Sequence, residues 1–163
     1  MGFCLGLCTL TLPAQTALVG PTSKLGVGAP VRWSAEPLAR PVPVGARFQV
    51  VLHAAIDPGW HLYALQQPEG GPMPTEIALQ QDAPADLLRV DQEKPRRVAD
   101  PQFHLLTAYF VQAARFTLRL QANGSVVPGA HPLHVLVRYQ ACNDRMCLPP
   151  HEDSLTVAVQ MTR

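Results

Sequence analysis

The sequence predicts an all-β domain, an immunoglobulin-like β-sandwich, from three observations. The chain has 163 residues, enough for one domain with its own hydrophobic core. Seventeen of these residues are proline, about twice the average share, and a proline inside a helix would cost about 3 kcal/mol. From Arg47 onward, short segments of alternating apolar and polar residues are separated by turn residues about every ten positions. This pattern predicts about seven to nine strands and no helix.

Composition and charge exclude several classes of function. The 13 Lys and Arg residues are balanced by 12 Asp and Glu residues, which gives a net charge of +1, and no basic run is present. Such a chain has no field to attract nucleic acid or an anionic membrane, so we expect no nucleic-acid partner. After residue 20 no apolar stretch reaches the roughly 18 residues that a spanning helix needs. We therefore expect no membrane span in the mature chain.

The first twelve residues form an uncharged apolar run that ends at Pro13 and is followed by small and polar residues. This order is typical of an export signal, although no basic residue precedes Lys24. We expect residues 1–19 to be an export signal that is removed together with Cys4 and Cys8. A buried first strand or helix is the alternative, which the two glycines and the proline of the run disfavour.

Residues 20–43 are rich in Gly, Pro, Ala and Ser and predict a lead-in segment before the sandwich. Val31–Ser34 is the strand-like part of this segment and a candidate edge strand. The sandwich domain is predicted over residues 44–163. No internal repeat and no second domain is evident in the sequence.

The first predicted strand begins at Arg47, with Phe48, Val50 and Leu52 on its buried face. A turn at residues 57–59 leads into a second strand over residues 60–65, and we expect the two strands to form a hairpin. On the second strand, His61 and Tyr63 occupy the face opposite to Trp60 and Leu62. Further strands are predicted over Thr75–Leu79, His104–Val111, Arg115–Gln121, Leu133–Ala141 and Ser154–Met161, and a break in regular structure over Glu93–Pro101.

Two cysteines remain once the predicted signal is removed, Cys142 and Cys147, in the connection between the last two strands. Because an exported protein meets an oxidising compartment, we expect these two to pair with each other. Closing a loop of about six residues stabilises a fold by roughly 2 kcal/mol, against nearly 5 kcal/mol for a hundred-residue loop. A short, exposed bridge therefore adds little to the fold and can exchange with other thiols.

Two other interpretations of the cysteines remain open on the residues alone. A stabilising disulfide is the commoner use of a pair in secreted domains, and C-x4-C is a weak redox pattern beside C-x2-C. A metal site would draw on nearby histidines, but an extended strand places His134 about 25 Å from Cys142, far beyond a coordination bond near 2 Å. We expect neither a metal nor a cofactor. No Ser-His-Asp spacing, phosphate loop or carboxylate pair stands out.

Three segments carry a resemblance to a known family. Residues 139–150 read YQACNDRMCLPP, residues 58–63 read PGWHLY, and residues 71–75 read GPMPT. Together they resemble the N-terminal periplasmic domain of the thiol:disulfide interchange protein DsbD, over about residues 31–159. The YQ-x-C-x4-C-x-PP motif is far more specific than the two cysteines alone.

The resemblance implies a periplasmic protein-disulfide reductase, with a role in cytochrome c biogenesis. Its cysteine pair would take electrons from a thioredoxin-like donor and pass them to disulfide-containing periplasmic proteins. By resemblance, Cys147 forms the mixed disulfide with a partner and Cys142 resolves it. The full-length relative continues into a membrane-embedded carrier and a thioredoxin-like domain, which this sequence lacks, so the donor would be a separate protein. We expect a monomer.

The resemblance also supplies residues around the cysteine pair. His61 and Tyr63 match two family tyrosines that flank the pair, with His61 a departure from the family. Asp100-Pro101-Gln102-Phe103 is similar to a family loop whose phenylalanine caps the cysteines. The competing hypothesis is a secreted immunoglobulin-like binding module with a purely structural disulfide. Reduction of the bridge by a thioredoxin-like donor would distinguish the two.

Overall fold

The computed structural model describes residues 29–163, which form twelve strands and no helix. The predicted export signal at residues 1–19 lies outside the described residues. In chain order the strands are β1 (Val31–Ala35), β2 (Val42–Pro43), β3 (Arg47–Ile56), β4 (His61–Tyr63), β5 (Glu76–Leu79), β6 (Ala85–Gln92), β7 (Arg96–Asp100), β8 (Leu105–Phe110), β9 (Ala113–Ala122), β10 (Gly129–Tyr139), β11 (Ala141–Cys142) and β12 (His151–Thr162). In this part of the chain, no helix could cross a membrane.

The strands form three four-stranded sheets, in the orders β1-β3-β9-β6, β2-β12-β10-β5 and β11-β4-β8-β7. The first two sheets contribute alternate residues of their central strands to one shared core, which confirms the predicted sandwich. Trp33 on β1 joins these two layers, because its ring lies 5.4 Å from that of Phe116 on β9 and 5.7 Å from that of Tyr139 on β10. An aromatic side chain that buries about 150 Å² stabilises the fold by roughly 4 kcal/mol.

The predicted hairpin between the strands that flank residues 57–59 is wrong. β3 pairs with β1 on one side and β9 on the other, so neither of its edges is free for β4. The turn contains Gly59 at a positive φ of 82°, and it carries the chain out of the first sheet and into the third. There β4 pairs with β8 and β11. This change of sheet places β4 beside the cysteines.

The predicted break over Glu93–Pro101 is also wrong, because β7 covers Arg96–Asp100 and pairs with β8. Four of its five residues are exposed, so the strand has no alternation for sequence analysis to detect. β6 was not predicted for a related reason. A register shift between Leu87 and Arg89 leaves Leu88 half exposed and interrupts the alternation.

The remaining predicted strands correspond to β5, β8, β9, β10 and β12. β10 and β12 form a long antiparallel pair, from Gly129 opposite Met161 to Tyr139 opposite His151. β1 is an edge strand of the first sheet, and β2 runs parallel to the end of β12. Residues before position 44 therefore contribute two strands to the sandwich.

Candidate active site

β11 positions Cys142 through a short antiparallel pairing with β4. Cys142 lies opposite His61, and Ala141 lies opposite Leu62. Because side chains alternate along a strand, Ala141 and Leu62 face the hydrophobic core, where both are buried. Cys142 and His61, together with Tyr63 two residues further along β4, share the other face. That face carries the candidate site.

Cys142 and Cys147 form a disulfide whose Cα atoms are 4.0 Å apart. The prediction of an exposed bridge holds for one end only, because the two cysteines differ in their exposure to solvent. Cys142 has 0% of its surface exposed, whereas Cys147 is partly exposed. The difference arises because Cys142 belongs to a strand between other elements and Cys147 lies on the returning limb of the loop. Cys147 is therefore the end of the bridge nearer to solvent.

Asn143 organizes the loop between the two cysteines. Its Oδ1 accepts hydrogen bonds from the backbone N–H groups of Arg145 and Met146, both at 2.9 Å. Its own N–H donates to the carbonyl of Met146, and the N–H of Leu148 donates to Ala141 at the base of the loop, again at 2.9 Å. These bonds hold the loop path in addition to the disulfide.

Gln140 connects the cysteine segment to the loop at residues 71–75. Its Nε2 donates to the carbonyl of Leu148 at 3.1 Å, and its Oε1 accepts the N–H of Met73 at 3.3 Å. Thr75, at the end of that loop, is buried and donates its hydroxyl to the carbonyl of Tyr63 at 2.6 Å. The three sequence segments that carried the family resemblance are thus in direct contact around one site.

Asp100 is the buried anchor of the loop formed by residues 100–104. Its Oδ1 accepts the N–H groups of Gln102 and Phe103 at 2.9 and 3.3 Å, and its Oδ2 accepts the hydroxyls of Tyr63 and Thr107 at 2.8 and 3.3 Å. Burial alone would raise the pKa of Asp100, but these four hydrogen bonds outweigh it and lower the pKa. The carboxylate therefore stays charged and holds the loop against β4.

Phe103 and Gln102 belong to this loop, which we call the cap loop (residues 100–104), and each makes a different contact at the site. The Phe103 ring meets Tyr63 edge-on, with 6.2 Å between ring centroids. Gln102 donates from Nε2 to the carbonyl of Asn143 at 2.7 Å, and its Oε1 lies 3.3 Å from the Sγ of Cys147. The cap loop thus contacts both the flanking tyrosine and the exposed cysteine.

His61 and Tyr63 continue the polar network of Asp100 on the cysteine face. Burial raises the pKa of Tyr63 well above its usual range, with Asp100 adding to the effect, so Tyr63 is protonated. His61 Nε2 lies 3.2 Å from the Tyr63 hydroxyl. Burial also lowers the pKa of His61, against opposing effects of Asp100 and Asp144. The imidazole beside Cys142 is therefore neutral near pH 7.

The structure brings together every residue named in the sequence analysis as a site residue: Cys142, Cys147, Phe103, Tyr63, His61 and Asp100. It does not bring the histidines that flank the cysteines in the sequence together with them as a metal site. His134 bonds Thr156 instead, His151 lies beside Asp153, and the described part of the chain holds no cluster of three metal-ligating side chains.

Sequence reasoning missed the roles of Gln102, Asn143, Gln140, Thr107 and Tyr109. Gln140 and Asn143 lie inside the motif, so the motif itself was the available signal. Tyr109 stacks on His61 with 4.5 Å between ring centroids, and it reaches the site only because β8 pairs with β4. That pairing has no local sequence signal.

The immunoglobulin-like sandwich and the paired Cys142 and Cys147 fit a thiol–disulfide exchange domain, and the family comparison supports this class. A family model described as "Thiol:disulfide interchange protein DsbD, N-terminal" matches residues 34–158, and the chain belongs to this family. The match covers all three segments that carried the resemblance.

Two solved structures share the fold. The reduced N-terminal domain of DsbD from Neisseria meningitidis is 14% identical, with 72% of this chain and 82% of that chain covered and a TM-score of 0.51. The N-terminal periplasmic domain of ScsB from Proteus mirabilis is 18% identical, with 78% and 44% covered and a TM-score of 0.53. No curated protein matches the chain.

Proposed function

We propose that this chain is a periplasmic protein-disulfide reductase domain in which Cys147 exchanges with partners and Cys142 resolves the mixed disulfide. The observation that carries the proposal is the unequal exposure of the two cysteines, 0% for Cys142 against partial exposure for Cys147. An incoming thiolate must approach along the axis of the S–S bond and expel the far sulfur. Attack on Cys147 becomes possible once the Gln102 side chain, whose Oε1 lies 3.3 Å from its Sγ, has moved aside, and it releases Cys142 into the interior.

The two half-reactions balance without a cofactor. A dithiol donor first reduces the Cys142–Cys147 disulfide and is itself oxidised to a disulfide. The Cys147 thiolate then attacks a disulfide in the oxidised substrate, which gives a mixed disulfide and one substrate thiol. Cys142 next attacks Cys147, which restores the bridge and releases the second substrate thiol. Two electrons and two protons pass from donor to substrate in each cycle.

A thioredoxin-like protein or domain is the proposed donor, and periplasmic proteins with disulfides are the proposed substrates. Family membership supports this assignment, as does the similarity to the N-terminal domains of DsbD and ScsB, of which the ScsB domain is described as periplasmic. Arg145, which is exposed between the cysteines, favours a thiolate on Cys147, whereas the neighbouring Asp144 opposes it.

The cap loop is proposed to shield the bridge from unsuitable thiols and to move aside when the correct partner docks. Its contacts with Tyr63 and with the exposed cysteine's loop support this role. Because Asp100 accepts the backbone N–H groups of Gln102 and Phe103, opening requires rotation of the Gln102 and Phe103 side chains or loss of these two hydrogen bonds.

Trapping with single-cysteine variants tests the proposed roles. Cys142→Ser leaves the mixed disulfide of Cys147 without its resolving cysteine, so after mixing with the disulfide form of a thioredoxin-like protein it should accumulate a mixed disulfide on a non-reducing gel. Cys147→Ser is the matched control and should trap little. Trapping by Cys147→Ser alone would reverse the roles, and trapping by neither variant would favour the binding module with a structural bridge.

Equilibration of the wild-type protein with glutathione buffers would give the reduction potential and the direction of electron flow.

A further inference from the structure

We propose that His61 accepts the proton of the Cys142 thiol when Cys142 attacks the mixed disulfide, an inference that rests on the proposed exchange function. The need for such a group follows from burial. Only a thiolate is an effective nucleophile, and an ordinary thiol has a pKa of about 8.5 that burial raises further. In the disulfide Cys142 is 0% exposed, and a thiol held at the same position would have no water beside it to take its proton. An acceptor within the protein is required.

The strand register places His61 beside Cys142. The two residues are Cα partners in the β4–β11 pairing, and directly opposed residues in such a pair have Cβ atoms about 4.5–5.5 Å apart on one face. Tyr63 and Tyr109 hold the imidazole on this face, with ring centroids 5.1 and 4.5 Å from its own. His61 is therefore both adjacent to the thiol and fixed in place.

The hydrogen-bond network determines which imidazole nitrogen is free. Tyr63 has a single hydroxyl proton, which it donates to Asp100 at 2.8 Å. At 3.2 Å from the same hydroxyl, His61 Nε2 must be the donor, so the ring carries its proton on Nε2. Nδ1 is then an unprotonated acceptor, and within residues 29–163 no hydrogen bond engages it. This nitrogen is available to the thiol.

The other titratable groups on this face are poorer acceptors. Each oxygen of Asp100 already accepts two hydrogen bonds, which leaves no lone pair for a further proton. Tyr63 is protonated, and Tyr109 stacks against the imidazole as a ring. Asp144 lies exposed on the cysteine loop, where it adds to the field of Asp100 and stabilises an imidazolium. His61 is neutral before the step, and the two carboxylates offset part of the cost of burying its charge after the step.

The step balances as follows in atoms and electrons. The proton of Cys142 moves to His61 Nδ1, and the thiolate attacks the Sγ of Cys147. The Cys142–Cys147 bond forms as the bond from Cys147 to the substrate sulfur breaks. The substrate leaves as a thiolate and takes up a proton, while the imidazolium returns its proton to water. In this step the Cys142 sulfur is oxidised and the substrate sulfur is reduced, while Cys147 is in a disulfide before and after it.

The reduced protein and the chromogenic aryl disulfide DTNB separate this step from the first attack. Attack by Cys147 releases one thionitrobenzoate, and resolution by Cys142 releases the second. Stopped-flow absorbance resolves the two phases, and Cys142→Ser, which can release only one, identifies them. In wild-type protein the second phase should slow as the pH falls below the pKa of His61, which lies under its ordinary 6.5.

His61→Gln should leave the first phase unchanged and slow the second roughly 100-fold at neutral pH, within the usual contribution of general base catalysis. Its rate should recover only at alkaline pH, where Cys142 ionises unaided. His61→Tyr restores the aromatic residue of the family and keeps the stacked arrangement, so it guards against a folding defect and should show the same slow phase. His134→Gln, which changes a histidine in another sheet, should match wild type.

Each outcome bears on one of the two proposals. A second phase in His61→Gln or His61→Tyr with the wild-type rate and pH profile would overturn the role of His61 and leave the exchange function standing. Release of one thionitrobenzoate by wild-type protein would overturn resolution by Cys142, and the role of His61 with it. A slowed second phase in both variants, with an unchanged first phase, supports the proposal.

Discussion

Gln102 donates a 2.7 Å hydrogen bond from its side-chain amide to the backbone carbonyl of Asn143, and this bond ties the cap loop to the cysteine loop. The Oε1 of the same amide lies 3.3 Å from the Sγ of Cys147. A disulfide sulfur has no proton to donate, so in the oxidised protein this second approach is a contact rather than a hydrogen bond. The amide therefore covers the sulfur that a partner must reach.

Gln102→Ala should loosen the cap loop and expose the bridge. Loss of one hydrogen bond of about 1 kcal/mol predicts roughly a fivefold faster reduction of the disulfide by glutathione. The rate of disulfide reduction under excess glutathione measures the effect. Gln160→Ala, which changes an exposed glutamine on β12, is the control. A rate equal to that of wild type would show that Gln102 does not hold the cap loop closed.

The disulfide should contribute little to the stability of the fold. A loop of about six residues predicts a loss of roughly 2 kcal/mol on reduction, which for a domain of this size is about 4–8 °C in Tm. The backbone hydrogen bonds around Asn143 remain available to keep the loop in place. Thermal melts of oxidised and reduced protein measure the difference. A fall of tens of degrees would instead indicate a structural bridge.

The fold class could be predicted from the sequence because alternation of buried and exposed residues is a local property. β3, β9, β10 and β12 bury one face each, and the sequence shows it. Strand pairing is not local, so the hairpin between β3 and β4 was predicted wrongly. β7 lacks alternation because it is almost wholly exposed at a sheet edge, so its sequence predicted a break in regular structure.

The candidate site followed from a motif, but its geometry did not. The spacing of Cys142 and Cys147 is visible in the sequence, whereas the burial of Cys142 depends on a two-residue pairing between β11 and β4. The contact of Gln102 with the cysteine loop likewise joins residues about forty positions apart in the chain. Only long-range strand pairing brings these groups together, and no local sequence pattern predicts that pairing.

Export should remove Cys4 and Cys8 with the first residues of the chain. The apolar run before Pro13 and the small residues after it predict a mature N-terminus between about Ala14 and Val19. Mass spectrometry of the protein recovered from the cell envelope measures the cleavage. An intact Met1 species in the cytosol would contradict both the export signal and the argument that Cys142 and Cys147 meet an oxidising compartment.

Phe103→Ala should speed the reaction of the disulfide with glutathione without unfolding the domain. The ring is half-buried and packs edge-on against Tyr63, so its removal opens the site and costs the core little. Leu106→Ala, an exposed position on β8, is the control. Tyr109 and Phe110 cannot replace the ring, because strand residues cannot swing away without breaking ladder bonds. An unchanged glutathione rate would show that Phe103 does not shield the bridge.

Asp100 should make stability depend on acid pH. Its pKa is lowered in the folded state, so its contribution is complete above the ordinary pKa of 3.8 and is lost as the pH falls through the lower folded value. Asp100→Asn removes a buried charge that accepts four hydrogen bonds and should cost about 2–3 kcal/mol of unfolding free energy at neutral pH. Urea unfolding between about pH 5 and pH 2 should show that the difference in unfolding free energy between wild type and variant shrinks toward acid pH.

Asp86→Asn, which changes an exposed carboxylate on β6, is the matched control. A gap that stays constant across this range would mean that the four hydrogen bonds do not favour the charged form of Asp100. The protonated carboxyl group would then hold the cap loop as well as the carboxylate does.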